Sequence, residues 1–443
     1  MTILQALKHR ASLNADIRFQ KMTLSGLEIE LTGLSSLIDF NASLLHIQQQ
    51  VHQDTNTGLP LESVIGNLGP IVAEPTEHQL LTSMLAGHLI LWFERIDAYV
   101  LVAPVSRPLS RTIEPPTTEN VLRGSISAFV EDIDTNIGLI RKHVASPSLH
   151  VHSYLLGTIQ KKRIVLLCND TVVDVRLRDA IVAMLEKNKE MNIQNLQQLS
   201  TALGFSKWSL VTKFNTSELP QEAETALSKG KVVLFMDRMP FAIILPSLMW
   251  DMFAVENDRS FPVIFMYAIR FLRVFGVLIN ILIPGLYVAL VSVNPDVLRI
   301  ELALTIAKSR IDVPYPSLVE TLLLLVILEL ILEASIRLPK SIGPTLTMVG
   351  GIILGQAVVS AKLVSNLLII ILAATTIANS AVVGFQNSVT IRMFKYLLVV
   401  LSAIYGVMGL LAGLFLVCSY MAGVTSFGIP YMHLMKPRGE PNG

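Results

Sequence analysis

Three ionisable side chains, Glu329, Glu333 and Arg337, recur at steps of four inside an otherwise apolar stretch, LVETLLLLVILELILEASIR (318–337). A step of four on an α-helix stacks side chains along one face. The same face continues through Val326, Leu322 and Leu318, so a single stripe is half polar and half apolar. About 20 residues at roughly 1.5 Å each cross the hydrocarbon core of a bilayer, and this stretch has that length. Ionisable groups at membrane depth are costly unless they face protein or water. The stripe therefore reads as the lining of an aqueous path, with Leu318, Leu322, Val326, Glu329, Glu333 and Arg337 as its candidate residues. A plainer reading stands beside it. Glu333 and Arg337 would be an i, i+4 ion pair at the membrane surface, with Glu329 bonded to a neighbour.

The elements that must hold such a helix lie around it in the second half of the chain. Of 443 residues, 52% are apolar and only 16% charged, and nearly all the long apolar runs follow Arg270. Five spans are predicted, at roughly 271–293, 318–336, 344–360, 363–383 and 396–421. Gly351 and Gly355 in the third, and Gly409 and Gly413 in the fifth, have the small-xxx-small spacing that lets helices approach closely. Asn379 and Ser380 in the fourth read as interhelical hydrogen-bonding groups. Asp296 to Arg310 is amphipathic, with Leu298, Leu302 and Ile306 on one face, and suits the membrane surface. Arg270 and Arg273 ahead of the first span place the preceding region on the cytoplasmic side. Lysine and arginine are balanced over the later loops and leave the side of the C-terminus open.

The region before these spans has ordinary globular mixing and reads as α/β. Helical periodicity appears at Leu34 to Val51, and strand-like runs at His88 to Phe93 and Ala98 to Val102. The unit LAGHLILWFERIDAYVLVAP (85–104) recurs as LSKGKVVLFMDRMPFAIILP (227–246). Gly87 matches Gly230, Leu89 to Phe93 matches Val232 to Met236, and both copies return through a second apolar strand to a proline. That is hairpin grammar, so 241–250 belongs to the soluble region despite its apolar character. Two related subdomains are expected. Between them Pro115-Pro116 marks a linker, and Ser125 to Val144 reads as an amphipathic helix through Ile126, Phe129, Ile133, Ile137 and Ile140. The second subdomain opens with the buried strand KKRIVLLCND (161–170), followed by the helix VRLRDAIVAMLEK. The expected boundaries are 1–106, 107–150, 151–256 and 257–443.

The net charge of +1 gives no argument for nucleic acid. The two cysteines, Cys168 and Cys418, fall in a soluble strand and a membrane span and build no scaffold. No phosphate loop, GxSxG or HExxH is present, and an enzyme is not expected. His46, His52, His143, His150 and His152 are scattered; His150 and His152 could share a strand face, but two imidazoles make a weak metal case. Asp170, Asp174 and Asp237 at strand ends read as turn and capping residues. Neither metal nor cofactor is expected.

Longer phrases carry a resemblance. EASIRLPKSIGPTLTMVGGIILGQAVVSAKLVS (333–365), LIPGLYVAL (282–290), ELALTIAKSRIDVPYPSLVE (301–320) and SFGIPY (426–431) resemble segments of the GerA-type spore germinant receptor A subunits. The linker is similar too, through Arg111, Ile113, Glu114, Pro116, Glu119, Arg123, Gly124, Phe129 and Thr135 to Arg141. The chain departs from that family at its turns. Where the family has Asp-Gly, this chain has Asn169-Asp170-Thr171 and Asp237-Arg238-Met239.

The resemblance implies an α/β soluble region of two subdomains followed by an all-α membrane domain. It implies a subunit of a nutrient-responsive complex in the spore inner membrane, working with a permease-like, germinant-binding B subunit and a C lipoprotein. Such A subunits are expected to form a homo-oligomeric ring around a cation channel. In that ring Glu329 and Glu333 would be acidic rings, and Leu322 and Val326 an apolar constriction. The alternatives are a structural or signalling membrane scaffold and, third, a secondary transporter. No internal membrane repeat or pair of broken helices supports the last.

Overall fold

The computed structural model describes residues 3–24, 27–56, 61–73, 75–105, 116, 127–255, 258, 261–339 and 342–433. Of the family-like linker phrase, Arg111, Ile113, Glu114, Glu119, Arg123 and Gly124 lie outside the described residues, as do Ser125 and Ile126.

The first subdomain runs α1 (Ile3–Leu13), β1 (Ile17–Leu24), β2 (Leu27–Leu34), α2 (Phe40–Asn56), α3 (Leu61–Leu68), β3 (Ile71–Val72), α4 (Glu77–Leu85), β4 (Leu89–Phe93) and β5 (Ala98–Val102). Then come α5 (Ile133–His143), β6 (Leu149–Leu156), β7 (Lys162–Asn169), α6 (Val175–Lys187), α7 (Leu196–Ala202), β8 (Asn215–Ser217), α8 (Pro220–Ser228), β9 (Val232–Met236) and β10 (Ala242–Leu245). Each set of strands forms a five-stranded antiparallel sheet. The orders are β1-β2-β4-β5-β3 and β6-β7-β9-β10-β8, the same topology twice. The repeat read from the sequence is the central hairpin of each sheet. Leu89 faces Val102 in the first copy, and Leu234 faces Ile243 in the second. Gly87 and Gly230 enter those hairpins at φ +90 and +79, a conformation that glycine adopts without steric cost. Residues 242–245, apolar as they are, form a sheet strand as expected.

In the second sheet, side chains alternate between two cores. Ile164, Leu166, Val232, Leu234 and Met236 pack with Leu177, Ile181 and Leu185 of α6. Val165, Leu167, Val233 and Phe235 pack with Ile137 and Ile140 of α5 and Leu227 of α8. A sheet buried on both faces needs continuous apolar strands, which is why VVLFM shows no alternation. Two expectations need correction. Helix α5 starts at Ile133 rather than Ser125, because Asp132 is its N-cap, accepting from Thr135 N at 3.0 Å. Phe129 precedes it in irregular chain, edge-on to Phe235 at 4.9 Å. The second sheet also begins one strand earlier than expected, at β6.

The helical region comprises α9 (Val263–Val288), α10 (Ile300–Arg310), α11 (Ser317–Arg337), α12 (Gly343–Ser360), α13 (Asn366–Asn379) and α14 (Phe385–Gly423), closed by β11 (Thr425–Ser426) and β12 (Ile429–Pro430). A π-helical turn, Ala289–Val293, prolongs α9, with Asn294 N bonded to Ala289 O at 2.9 Å. Among the described residues two helices are long and apolar enough to cross a membrane, Val263–Val293 and Phe385–Gly423. The first starts eight residues ahead of the predicted span, so Arg270 and Arg273 lie inside it. Arg273 forks onto Asp258 and also donates to Phe253 O, which satisfies its charge.

Helix α14 is not the single straight span predicted at 396–421. Gly406 interrupts it at φ +62, and the two arms fold side by side. Phe394 meets Tyr420 with ring centroids 6.2 Å apart, and a Cβ on Gly413 would touch Leu398 and Leu401. The unbroken apolar run hides a helical hairpin. Its turn sits beside the far end of α9, where Asn294 Oδ1 accepts from Val407 N at 2.9 Å. Both open ends return to the soluble region. There Tyr431 O accepts from Met249 N at 2.9 Å, and Phe427 and Ile429 pack against the second core.

Candidate functional site

Helix α11 begins after Pro316, whose fixed φ suits a helix entry, and runs 21 residues through leucine, isoleucine and valine. Its first turn is anchored by a buried acid. Glu320 is fully buried, accepts Ser365 N at 2.6 Å and lies 3.2 Å from Arg310 Nε. Ser365 caps α13 and bonds Tyr287 Oη at 3.1 Å, so α9, α10, α11 and α13 meet there.

The stripe then emerges from the subunit. Leu318 and Leu322 are partly covered by the cluster around Tyr287, Leu324 and Leu368. Val326 is 52% exposed, and the Glu329, Glu333 and Arg337 side chains are 37%, 53% and 79% exposed. Glu333 and Arg337 form the i, i+4 pair of the plainer reading, at 2.6 Å. Glu329 takes a different partner, Arg392 Nη1 on the first arm of α14, at 2.5 Å.

Arg392 opens onto a polar track that sequence reasoning missed. Lys395, one turn on, is buried with its Nζ 3.4 Å from Asn280 Oδ1 of α9. Asn280 donates to Asn379 Oδ1 at 2.8 Å, and Asn379 donates to Ser388 Oγ at 2.6 Å. Asn379 is thus the interhelical group expected, whereas Ser380 bonds back within its own helix to Thr376 O. A signal was present. Asn280 interrupts the apolar run of α9, and Arg392 and Lys395 stand just ahead of the run counted as the fifth span. Buried cations persist only where carboxylates and amides meet them. The track is a line of polar groups linking α9, α13 and the hairpin to the acidic end of α11.

The four glycines divide. A Cβ on Gly409 would stand 2.1 Å from Leu401 O, so this glycine permits the hairpin arms to touch. Gly413 lies beside Leu398 and Leu401 in the same contact. On α12, a Cβ on Gly351 or Gly355 would meet nothing within 4 Å, and Met348, Ile352 and Ile353 beside them are exposed. That face is open. Helix α10 likewise leaves Ile300, Leu302 and Leu304 exposed.

Loop 203–214 joins the α/β region to the hairpin. Val211 inserts into the helical core beside Ile391, Phe394 and Val417. Leu210 O accepts from Thr390 Oγ1 at 2.6 Å, and Leu210 N donates to Tyr420 Oη at 3.1 Å. Thr212 donates to Asn387 Oδ1 at 3.0 Å, and Lys213 Nζ to Thr425 O at 2.9 Å. Thr390, which bonds this loop, stands two residues from Arg392, which bonds Glu329.

The remaining titratable cluster is local to the second subdomain. Asp170 meets His150 Nδ1 at 2.9 Å and Arg178 Nη1 at 3.1 Å, while Asp174 caps α6 as expected. Burial lowers the pKa of His150 and of His152, the nearby Asp170 carboxylate opposing it. Burial also pushes the Cys168 thiol up to about 12. Among the described residues no three His, Cys, Asp or Glu side chains gather to hold a metal ion.

The family model described as "Bacillus/Clostridium GerA spore germination protein" matches residues 5–441. The chain is 30% identical over 430 residues to spore germination protein A1 of Bacillus subtilis (strain 168), covering 96% of this chain and 87% of that protein. It is 30% identical over 372 residues to spore germination protein GerLA of Bacillus cereus, covering 84% and 75%. Among solved structures, the N-terminal domain of the A subunit of the Bacillus megaterium spore germinant receptor GerK3 matches 56% of this chain and 94% of that domain, at 18% identity and a TM-score of 0.41. With its α/β region and helical second half both inside the matched span, the chain belongs to the GerA family of spore germination proteins.

Proposed function

We propose that this chain is the A subunit of a nutrient germinant receptor in the spore inner membrane. Six helical legs, namely α9, α11, α12, α13 and the two arms of α14, would cross the bilayer, leaving the soluble region and the C-terminal strands together on the cytoplasmic face. Copies of the chain would assemble with α11 toward a shared axis and conduct monovalent cations when the receptor senses a germinant. The permease-like B subunit and the C lipoprotein are the partners of this reading.

The observation that carries it is the stripe on α11. Val326, Glu329 and Glu333 stay open to the outside of the subunit while Leu324 on the opposite face is buried. Covering those carboxylates with lipid would be costly, whereas water along an axis would solvate them. The open Gly351–Gly355 face of α12 is of the kind that a second copy packs against.

A scaffold is the second reading, favoured by the pairing of both acids within the subunit, Glu329 with Arg392 and Glu333 with Arg337. Ion flux from liposomes holding the assembled receptor separates the two. Under the channel reading Glu329→Gln and Glu333→Gln change ion selectivity and Val326→Ala leaks without germinant. Unchanged flux with reduced assembly would favour the scaffold.

A further inference from the structure

The loop that joins the α/β region to the hairpin also carries the most exposed large apolar side chain of the second subdomain among the described residues. Trp208 is 92% exposed and Leu210 is 51% exposed, with Lys207 exposed beside them. A solvated tryptophan on the outside of a folded loop buries none of its area, and its large apolar face favours removal from water. Its height is fixed by its neighbours. Leu210 bonds Thr390, five residues into the first arm, and Tyr420, three residues from the end of the second. At about 1.5 Å per residue those positions lie roughly 5–8 Å inside the helical layer. A second tryptophan lies at a similar level. Trp250 is 41% exposed beside Phe253, and neighbouring Met252 O accepts from Val383 N at 3.2 Å, just ahead of the first arm. Tryptophan favours the headgroup level, where its ring is buried and its N–H stays wet, and lysine favours the phosphates above it.

We propose that residues 206–210 form a bilayer-interface anchor. Trp208 and Leu210 enter the headgroup–acyl boundary beside the helical hairpin, and Lys207 meets lipid phosphate. The anchor presses the second subdomain onto the membrane at the point where its loop grips Thr390 and Tyr420. The inference rests on reading α14 as membrane-spanning.

The test uses the full chain in vesicles of phosphatidylcholine and phosphatidylglycerol, with bromines high on the acyl chains as quenchers. The emission that Trp208→Phe removes is the Trp208 signal; this exposed residue can be replaced without opening a core. A bimane label on Cys418, exposed on the second arm, reports the hairpin itself, because Cys168 is buried and its thiol is held protonated. The expected result is that Trp208 emission loses most of its intensity to brominated lipid and little to aqueous iodide. Iodide quenching with no effect of bromine, while bimane still responds to bromine, overturns the anchor and leaves the spans intact. Shielding of Trp208 from both quenchers overturns it in favour of a protein contact. If neither probe responds to brominated lipid, the membrane reading of the hairpin fails and the anchor with it.

Discussion

Arg141 and Asp16, 125 residues apart, are joined by two parallel hydrogen bonds of 3.0 Å, Nε to Oδ2 and Nη2 to Oδ1, in the buried seam between the subdomains. Their side chains are only 3% and 2% exposed. The rest of the guanidinium is satisfied by Asn14 Oδ1 and Leu149 O, and Ser36 donates to the carboxylate. Ala15 N also bonds Val151 O at 2.7 Å, so the first subdomain is stitched to the edge strand of the second. Removing one partner strands a buried charge, at about 3–5 kcal/mol. Arg141→Met or Asp16→Leu alone should lower the unfolding midpoint strongly. The double variant should recover a large part of the loss, and a double-mutant cycle by denaturant unfolding checks it.

The Glu329–Arg392 pair should behave as a weaker version of the same device, because Glu329 is 37% exposed and Arg392 only 8%. Glu329→Gln leaves a covered guanidinium facing a neutral amide, and a loss of about 1–3 kcal/mol is expected after discounting for solvent. Glu333→Gln, whose pair with Arg337 is exposed, should cost less than about 0.5 kcal/mol. Thermal unfolding in detergent would rank them. Equal losses would mean that the hairpin contact adds nothing.

Gly406→Ala tests the hairpin turn. Its φ of +62 is costly for alanine, and a Cβ would stand 1.9 Å from Asn294 Oδ1. A loss of at least about 2 kcal/mol is expected. Asn294→Ala, which removes the acceptor of Val407 N, should lose about 1–2 kcal/mol. A Gly406→Ala chain as stable as the parent would mean that the arms tolerate another bend.

Arg238 sits in the turn after β9 at φ +63 with its side chain 81% exposed. Arg238→Gly relieves the left-handed strain at the cost of one weak 3.8 Å contact to Asp237 and some unfolded-chain entropy. A net gain of about 0.5–1 kcal/mol follows, read as a raised melting temperature.

Acid should loosen the second subdomain. Burial holds His150 and His152 below their ordinary 6.5, so the unfolded chain binds more protons than the folded one in the window below that value. Their contribution is complete above about pH 6.5 and is lost as pH falls through the lowered folded values. His152→Gln should flatten the dependence of melting temperature on pH between about pH 7 and about pH 5. An unchanged slope would assign it to other groups.

The duplicated hairpins were legible because Gly87 and Gly230, and the apolar runs after them, are set by local backbone and burial rules. The β1–β2 hairpin was not, since IRFQKMTL alternates weakly, its apolar positions shifting register between Phe19 and Met22. The α11 stripe could be read as a stripe, but its partners could not. Arg392 is 63 residues from Glu329, and periodicity within one helix says nothing about what a second helix brings to it. The hairpin in α14 escaped because hydropathy measures how apolar a run is and is blind to a glycine at positive φ within it.

The last strands carry a consequence for synthesis. Phe427 meets Phe205 edge-on at 5.1 Å, and Ile429 packs on the core of the second subdomain. That core is laid down before residue 246, yet the ribosome must deliver all the apolar helices before the pieces that close it emerge. The soluble half therefore reaches its final form only after the helices have been delivered. A chain stalled anywhere between 263 and 423 leaves Phe205 without its partner ring and that edge of the core uncovered.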